Sequence, residues 1–248
     1  APQTTTNRAA LRLGAGCIVV GALAIAGFRL SHGDLPAADA PAALGFIADH
    51  PFYAGVHIGT VVGVLAWAGG IVALSGTITA GLAGVLGRVG AASVLVGAAV
   101  FIVDFSIDGV AGQDLATTWA AATPADRPDL ELAARTAFTM LRGTSLTSIL
   151  ILWGVPLLLL GRALLLEAYP TWLGWSGLTL GAATVLAALA LLLREDLFPG
   201  VLLYGLLVSI LVPLWSVALG LAMWRRAGTI EAEPGAGRAP NVTDPTVL

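Results

Sequence analysis

The chain contains no lysine. All twelve of its basic residues are arginine, which rules out a retinal Schiff base and any other lysine-based covalent mechanism. Cys17 is its single cysteine, so neither an internal disulfide nor a multi-thiolate metal cluster can form. Charge is scarce: Asp, Glu, Lys and Arg make up 11% of the 248 residues, against about a quarter in a soluble domain. The formal net charge is −3, and nothing clusters basic side chains as binding to nucleic acid requires, so no nucleic-acid partner is expected. There is no phosphate loop, nucleotide fingerprint or serine-hydrolase elbow. Histidine is confined to His32, His50 and His57.

Apolar sequence is what the chain has in quantity: 57% hydrophobic residues and a mean hydropathy of +0.90. Several apolar runs approach the roughly 20 residues that a helix needs to cross a hydrocarbon core of about 30 Å. They predict an all-α polytopic membrane protein whose partner is the lipid bilayer. Six transmembrane helices are expected at about 13–30, 52–76, 88–111, 136–163, 172–193 and 201–224. The fourth is expected to start outside the bilayer near residue 129, where TPADRPDLE reads as a helix start with an acidic first turn. A secretory signal competes for the first run, since ADA–P at 38–41 resembles a cleavage site. Its length and the closing Arg29 favour a retained span. Residues 1–226 then form one domain, and the tail 227–248, with its Gly, Pro and Glu, reads as disordered.

Six spans put both termini on one side. Arg8, Arg12, Arg88, Arg162, Arg225, Arg226 and Arg238 would share it, against Arg29, Arg127, Arg135, Arg142 and Arg194 opposite. The positive-inside rule therefore predicts both ends in the cytoplasm, with the protein multi-pass in the cell inner (plasma) membrane.

The stretch 88–112 is apolar enough to span, yet it carries Asp104 and Asp108 one helical turn apart. Ser93, Gly97, Asp104, Asp108 and Gly112 fall on one stripe at helical spacing. An ionisable residue inside a spanning helix is costly and points to function by default. At about 1.5 Å per residue, counting outward from Arg88, Gly76 and Arg162 brings Asp104 with Asp108, His57 and Arg142 to a common height below the external face. This predicts a ligand- or ion-binding site of His57, Asp104, Asp108 and Arg142 between the second, third and fourth spans. Asp104 would be the proton- or cation-binding carboxylate and His57 the group able to sense external pH. In the structural alternative, Asp104 or Asp108 pairs with Arg142 and fixes helix packing, and His57 is a hydrogen-bonded packing residue.

Gly55, Gly59 and Gly63 form a GxxxGxxxG ridge on the second span, which lets another backbone approach closely in lipid. Internal packing is one use of such a ridge and a homo-oligomer is the other. Metal and cofactor readings find less support. His57, Asp104 and Asp108 with His50 offer zinc or iron donors, but no compact pair such as HxxxH exists, so no metal is expected. A b-type haem needs two axial ligands; His57 alone lies within a span, and His32 would have to reach in. No cofactor is expected.

The segments HPFYAGVHIG (50–59), DGVAGQDLATTWAAA (108–122), GVPLLLLGRALL (154–165) and YPTWLGWSGLTLG (169–181) together resemble uncharacterised multi-helix membrane proteins of high-GC bacteria, grouped as a domain of unknown function. The resemblance covers most of residues 10–226 and implies the six-helix architecture, with no chemistry to carry over.

Three readings of function follow. The first is binding or transport of a small ligand, ion or proton through the outward-facing polar site. The second is an intramembrane enzyme acting on a lipid or isoprenoid, with Asp104 or Asp108 as general acid and His57 as base. The third is a membrane scaffold or partner subunit that associates through the glycine ridge.

Overall fold

Every long element among the described residues is a helix, because lipid offers no partner for a bare backbone N–H or C=O and each spanning segment must satisfy its own. In the computed structural model, residues 2–33, 35–194, 196–197 and 199–229 are described, with side chains from residue 7 onward. The order is α1 (Pro2–Ser31), α2 (Ala40–Ala48), α3 (Tyr53–Thr77), α4 (Gly81–Ser106), α5 (Gly112–Ala121), α6 (Arg127–Ile149), α7 (Val155–Leu165), α8 (Thr171–Leu193) and α9 (Val212–Thr229). Three π segments, Ile107–Ala111, Leu150–Gly154 and Leu202–Leu211, join α4 to α5, join α6 to α7 and lead into α9. Among the described residues six helical stretches are long and apolar enough to cross a membrane: Asn7–Ser31, Tyr53–Thr77, Gly81–Ala121, Arg127–Leu165, Thr171–Leu193 and Leu202–Thr229. The chain is a polytopic, all-helical membrane protein. Leu13, Val62, Val96, Leu186 and Leu214 stand bare on its outer faces, apolar exposure that a soluble monomer rarely tolerates but a bilayer covers.

Two close seams hold the bundle. Along α1 and α3, an added Cβ at Gly21 would come 2.5 Å from the Trp67 nitrogen, and one at Gly70 would come 2.7 Å from the Gly14 carbonyl oxygen. Along α7 and α8, an added Cβ at Gly161 or at Gly181 would fall 2.6 Å from the backbone nitrogen of Leu178 or Leu158. Lipid tails are as apolar as leucine, so helices associate through such close van der Waals approach and through buried polar links. Trp67 Nε1 donates to Ser216 Oγ at 2.9 Å, tying α3 to α9. The Ser93 hydroxyl donates to the Ile151 carbonyl at 2.7 Å. That carbonyl is available because Pro156, five residues on in π register, has no N–H to give.

The helix boundaries depart from the sequence reading in several places, α1 among them, which begins at Pro2 rather than near residue 13. The third span starts at Gly81 rather than near residue 88, because Gly81 takes a φ of +50° and turns the chain directly out of α3 into α4. Residues 113–121, read as loop, form α5, since the π turn continues α4 instead of ending it. The connection 31–50 folds into α2, with Asp39 as N-cap accepting from the Ala42 N–H at 3.2 Å. Apolar residues of α2, α5 and the start of α6 (Leu44, Ile47, Ala116, Ala134, Phe138) form a second, smaller core that covers one end of the bundle. From residue 230 on, the expected tail lies outside the described residues, as does Arg238, while 227–229 belong to α9.

Candidate functional site

The covered end of the bundle is where the polar side chains meet. α3 opens at Tyr53, and one turn later His57 occupies the same face. Both are buried, His57 completely. His57 Nδ1 lies 2.8 Å from the Tyr53 carbonyl oxygen. A carbonyl only accepts, so Nδ1 carries the hydrogen and the neutral ring has its lone pair at Nε2. That Nε2 is 3.0 Å from Asp108 Oδ2. The Tyr53 hydroxyl donates to the other carboxylate oxygen, Oδ1, at 2.9 Å.

Asp108 reaches this position because it stands in the π turn Ile107–Ala111 that follows α4. A π turn takes more residues per revolution than an α-helix, so the stripe through Asp104 and Asp108 is rephased and the two carboxylates meet different neighbours. The next residue, Gly109, presses its backbone against the His57 ring, and a Cβ there would overlap the His57 Cβ and Cγ atoms. Turns of this kind recur at functional sites. From α5, Gln113 Oε1 accepts the Ala54 N–H at 3.4 Å, one of the donors left without an intrahelical partner at the start of α3.

The third contributor is His32, the residue after α1. It is 7% exposed, with its ring centroid 4.8 Å from that of His57 and 5.2 Å from that of Tyr53. Its Nδ1 lies 3.0 Å from the Gly33 carbonyl oxygen, so this ring too presents a lone pair at Nε2. His32 Nε2 stands 3.8 Å from Asp108 Oδ2, beyond hydrogen-bond distance, and has no hydrogen-bond partner although it is buried. One turn back along α1, the Arg29 guanidinium sits over the Phe105 ring, 5.6 Å from its centroid, where its charge acts on both Asp108 and Asp104. A cavity of about 220 Å³ opens beside the cluster, lined by Ser31, His32, Asp49, His50, Tyr53 and Val56.

Of the four residues expected to share a site, the structure brings two into contact, His57 and Asp108. Asp104 is buried and turned toward α6, where it accepts a hydrogen bond from the Thr144 hydroxyl. Its charge neighbours are Asp108, His57 and Arg29. Arg142 donates from a terminal guanidinium nitrogen to the Leu191 carbonyl at 2.9 Å, one of the carbonyls that the end of α8 leaves without an intrahelical partner. Equal height placed Asp104 and Arg142 together in the sequence reading. They point around their helices toward different elements, so the Asp108 cluster lies among the first, second and third spans rather than the second, third and fourth.

His32, Tyr53, Arg29 and Thr144 were missed. Tyr53 had a signal, being four residues before His57, and Arg29 with His32 are three apart at the end of α1. His50 lies on the cavity wall, its ring stacked on Phe46 with centroids 4.1 Å apart. The glycine ridge serves α1: Gly63 meets Ala24 and Gly21, and Gly59 meets the Phe28 ring. Gly55 is exposed, with open space where its Cβ would stand.

No family model matches this chain, nor does any curated protein or solved structure. The fold and the site together define a class, a multi-pass membrane protein with a largely buried His–Asp–Tyr cluster beside a cavity at one end of its helices.

Proposed function

We propose that the protein binds a small ligand or ion at the cluster of His32, Tyr53, His57 and Asp108, as a ligand-handling or transport protein of the cell membrane. One observation carries this reading. Three separate segments, the residue after α1, the start of α3 and the π turn after α4, deliver two imidazoles, a phenol and a carboxylate to one point beside a cavity. Packing alone does not call for such a set, because each polar group brought into a spanning bundle costs free energy unless it is satisfied. The arginine distribution supports an orientation with both termini cytoplasmic and the cavity facing outward.

The test is flux by purified protein in liposomes, with protons and a series of monovalent and divalent cations followed by entrapped indicator dyes. Flux in the wild type that Asp108→Asn abolishes, with the variant still inserted and monodisperse, is the expected result. Absence of flux for every ion, or flux indifferent to Asp108→Asn, His57→Gln and His32→Gln alike, would remove the transport reading.

A further inference from the structure

We infer that His32, His57 and Asp108 form a binding site for one divalent transition-metal cation of the zinc type. The inference rests on the binding reading above and names the chemistry of the ligand at that same site. His32, His57 and Asp108 each offer one ligand atom, and these lie within 4.8 Å of one another, the Nε2 of each ring being the nitrogen that approaches Asp108 Oδ2. Two donors on one tetrahedral zinc, each about 2.1 Å from it, stand roughly 3.4 Å apart. The separations from Asp108 Oδ2 are 3.0 Å to His57 and 3.8 Å to His32, so they bracket that value. His32 follows the last residue of α1 and is free of helical constraint, so a small shift of its ring closes the set.

Each ligand is already held by a second hydrogen bond of the kind that orients metal-binding side chains. The Nδ1–H of His57 donates to the Tyr53 carbonyl at 2.8 Å, and that of His32 to the Gly33 carbonyl at 3.0 Å. Both rings therefore turn an Nε2 lone pair toward the carboxylate. The Tyr53 hydroxyl engages Asp108 Oδ1 and leaves Oδ2 to face the two imidazoles. Two lone pairs and a carboxylate oxygen converging in a largely buried space repel unless a positive charge stands among them. A proton shared by His57 and Asp108 would satisfy that one contact. It gives no hydrogen bond to His32 Nε2, which is 7% exposed and stands 3.8 Å from the same oxygen.

The donor set also selects the ion. Imidazole nitrogens suit Zn²⁺, Fe²⁺, Co²⁺ or Ni²⁺, whereas Mg²⁺ and Ca²⁺ take oxygen ligands and Cu⁺ takes thiolate or thioether sulfur. Three protein ligands leave coordination positions open, the pattern of sites that exchange or act on a further ligand rather than of closed structural sites. His32 and Tyr53 line the cavity as well as the cluster, which gives the ion an entry path.

The experiment is equilibrium binding to the purified full-length protein in detergent or nanodiscs, first stripped with a chelator. Zn²⁺ is titrated by calorimetry and Co²⁺ by its visible ligand-field absorption. The expected result is one Zn²⁺ per chain and a Co²⁺ spectrum of nitrogen–oxygen coordination. His32→Gln and Asp108→Asn should each weaken binding at least tenfold, and Tyr53→Phe should weaken it about tenfold through the loss of carboxylate orientation. Thr144→Val should leave it unchanged. Because His32 lies outside the helix, His32→Gln should keep the fold, and the wild-type Co²⁺ spectrum stands whether or not the other variants fold. Failure of the wild type to bind Zn²⁺ or Co²⁺ stoichiometrically would overturn the inference, as would binding indifferent to His32→Gln and Asp108→Asn. Liposome flux of another ion that still depends on Asp108 would then preserve the broader binding reading.

Discussion

Gly109 lies flat against His57. Its backbone in the π turn after α4 touches the histidine where any side chain at position 109 would overlap it. The imidazole is thus clamped between this backbone on one side and the rings of Tyr53 and Phe105, whose centroids lie 4.5 and 4.9 Å away. These walls come from its own helix, from the last turn of α4 and from the π turn that carries Asp108. The pair is therefore placed by packing as well as by its hydrogen bond.

That relationship yields the first prediction. Gly109→Ala forces a methyl group into the His57 ring and should cost about 1–3 kcal/mol, the usual range for an overpacked site. Thermal unfolding in detergent measures this cost, and binding of Zn²⁺ should fall with it. Gly112→Ala is the control, because its added Cβ meets nothing nearer than 3.7 Å, and it should be close to neutral. Equal behaviour of the two variants would mean that the approach at Gly109 is looser than described.

Asp104 and Thr144 make the second. Asp104 is 3% exposed and takes the Thr144 hydroxyl as a donor. Thr144→Val removes that donor while keeping the shape, and leaving a buried carboxyl short of a partner costs about 1–3 kcal/mol. Thr139→Val, on the exposed face of the same helix, should stay within about 0.5 kcal/mol of the wild type. Unfolding curves of the two variants side by side decide it.

The glycine ridge makes the third. A leucine at Gly63 would collide with Ala24 and the backbone of Gly21, whereas one at Gly55 would meet open space. Gly63→Leu should therefore abolish the monodisperse peak in size-exclusion chromatography, and Gly55→Leu should leave it intact. A shift of the Gly55→Leu protein to smaller assembly size would revive the scaffold reading, since Gly55 is the exposed end of the ridge.

Tyr169, in the connection between α7 and α8, gives the fourth. It is 7% exposed, and burial pushes its phenol up to about 12, partly opposed by the Arg226 guanidinium, which sits 4.7 Å from the ring centroid. A phenol raised in the folded state favours the neutral form. Its contribution to stability is complete below the unfolded value near 10 and is lost as pH rises from 10 toward 12. Ultraviolet titration of wild type against Tyr169→Phe should show one phenol ionising late, and the stability of Tyr169→Phe should fall less over that interval.

Much of the architecture follows from the sequence by itself. An apolar run of about 20 residues becomes a helix in lipid because only a helix satisfies its backbone without outside help. That condition is local, so six spans were legible from composition and length. That His57 and Asp108 are costly groups at one height was legible too, since depth can be counted along a helix. Yet the sequence reading gave the leading role to Asp104 and considered Arg142 as the carboxylate's partner. Depth, however, is one coordinate of two. Which way a side chain points around its axis depends on neighbours, and spans that are apolar on nearly every face carry little pattern to reveal it. Asp104 and Arg142 share a height and still turn to Thr144 and Leu191. The π turn, which no local signal announced, rotates Asp108 toward His57. His32 stood in a polar connection that read as loop, and only the packing of α1 along α3 carried it to the carboxylate. Local chemistry decided that the chain spans the membrane and which groups are costly there. The tertiary structure decided which of those groups meet, because that depends on the rotation and contact of helices distant in sequence.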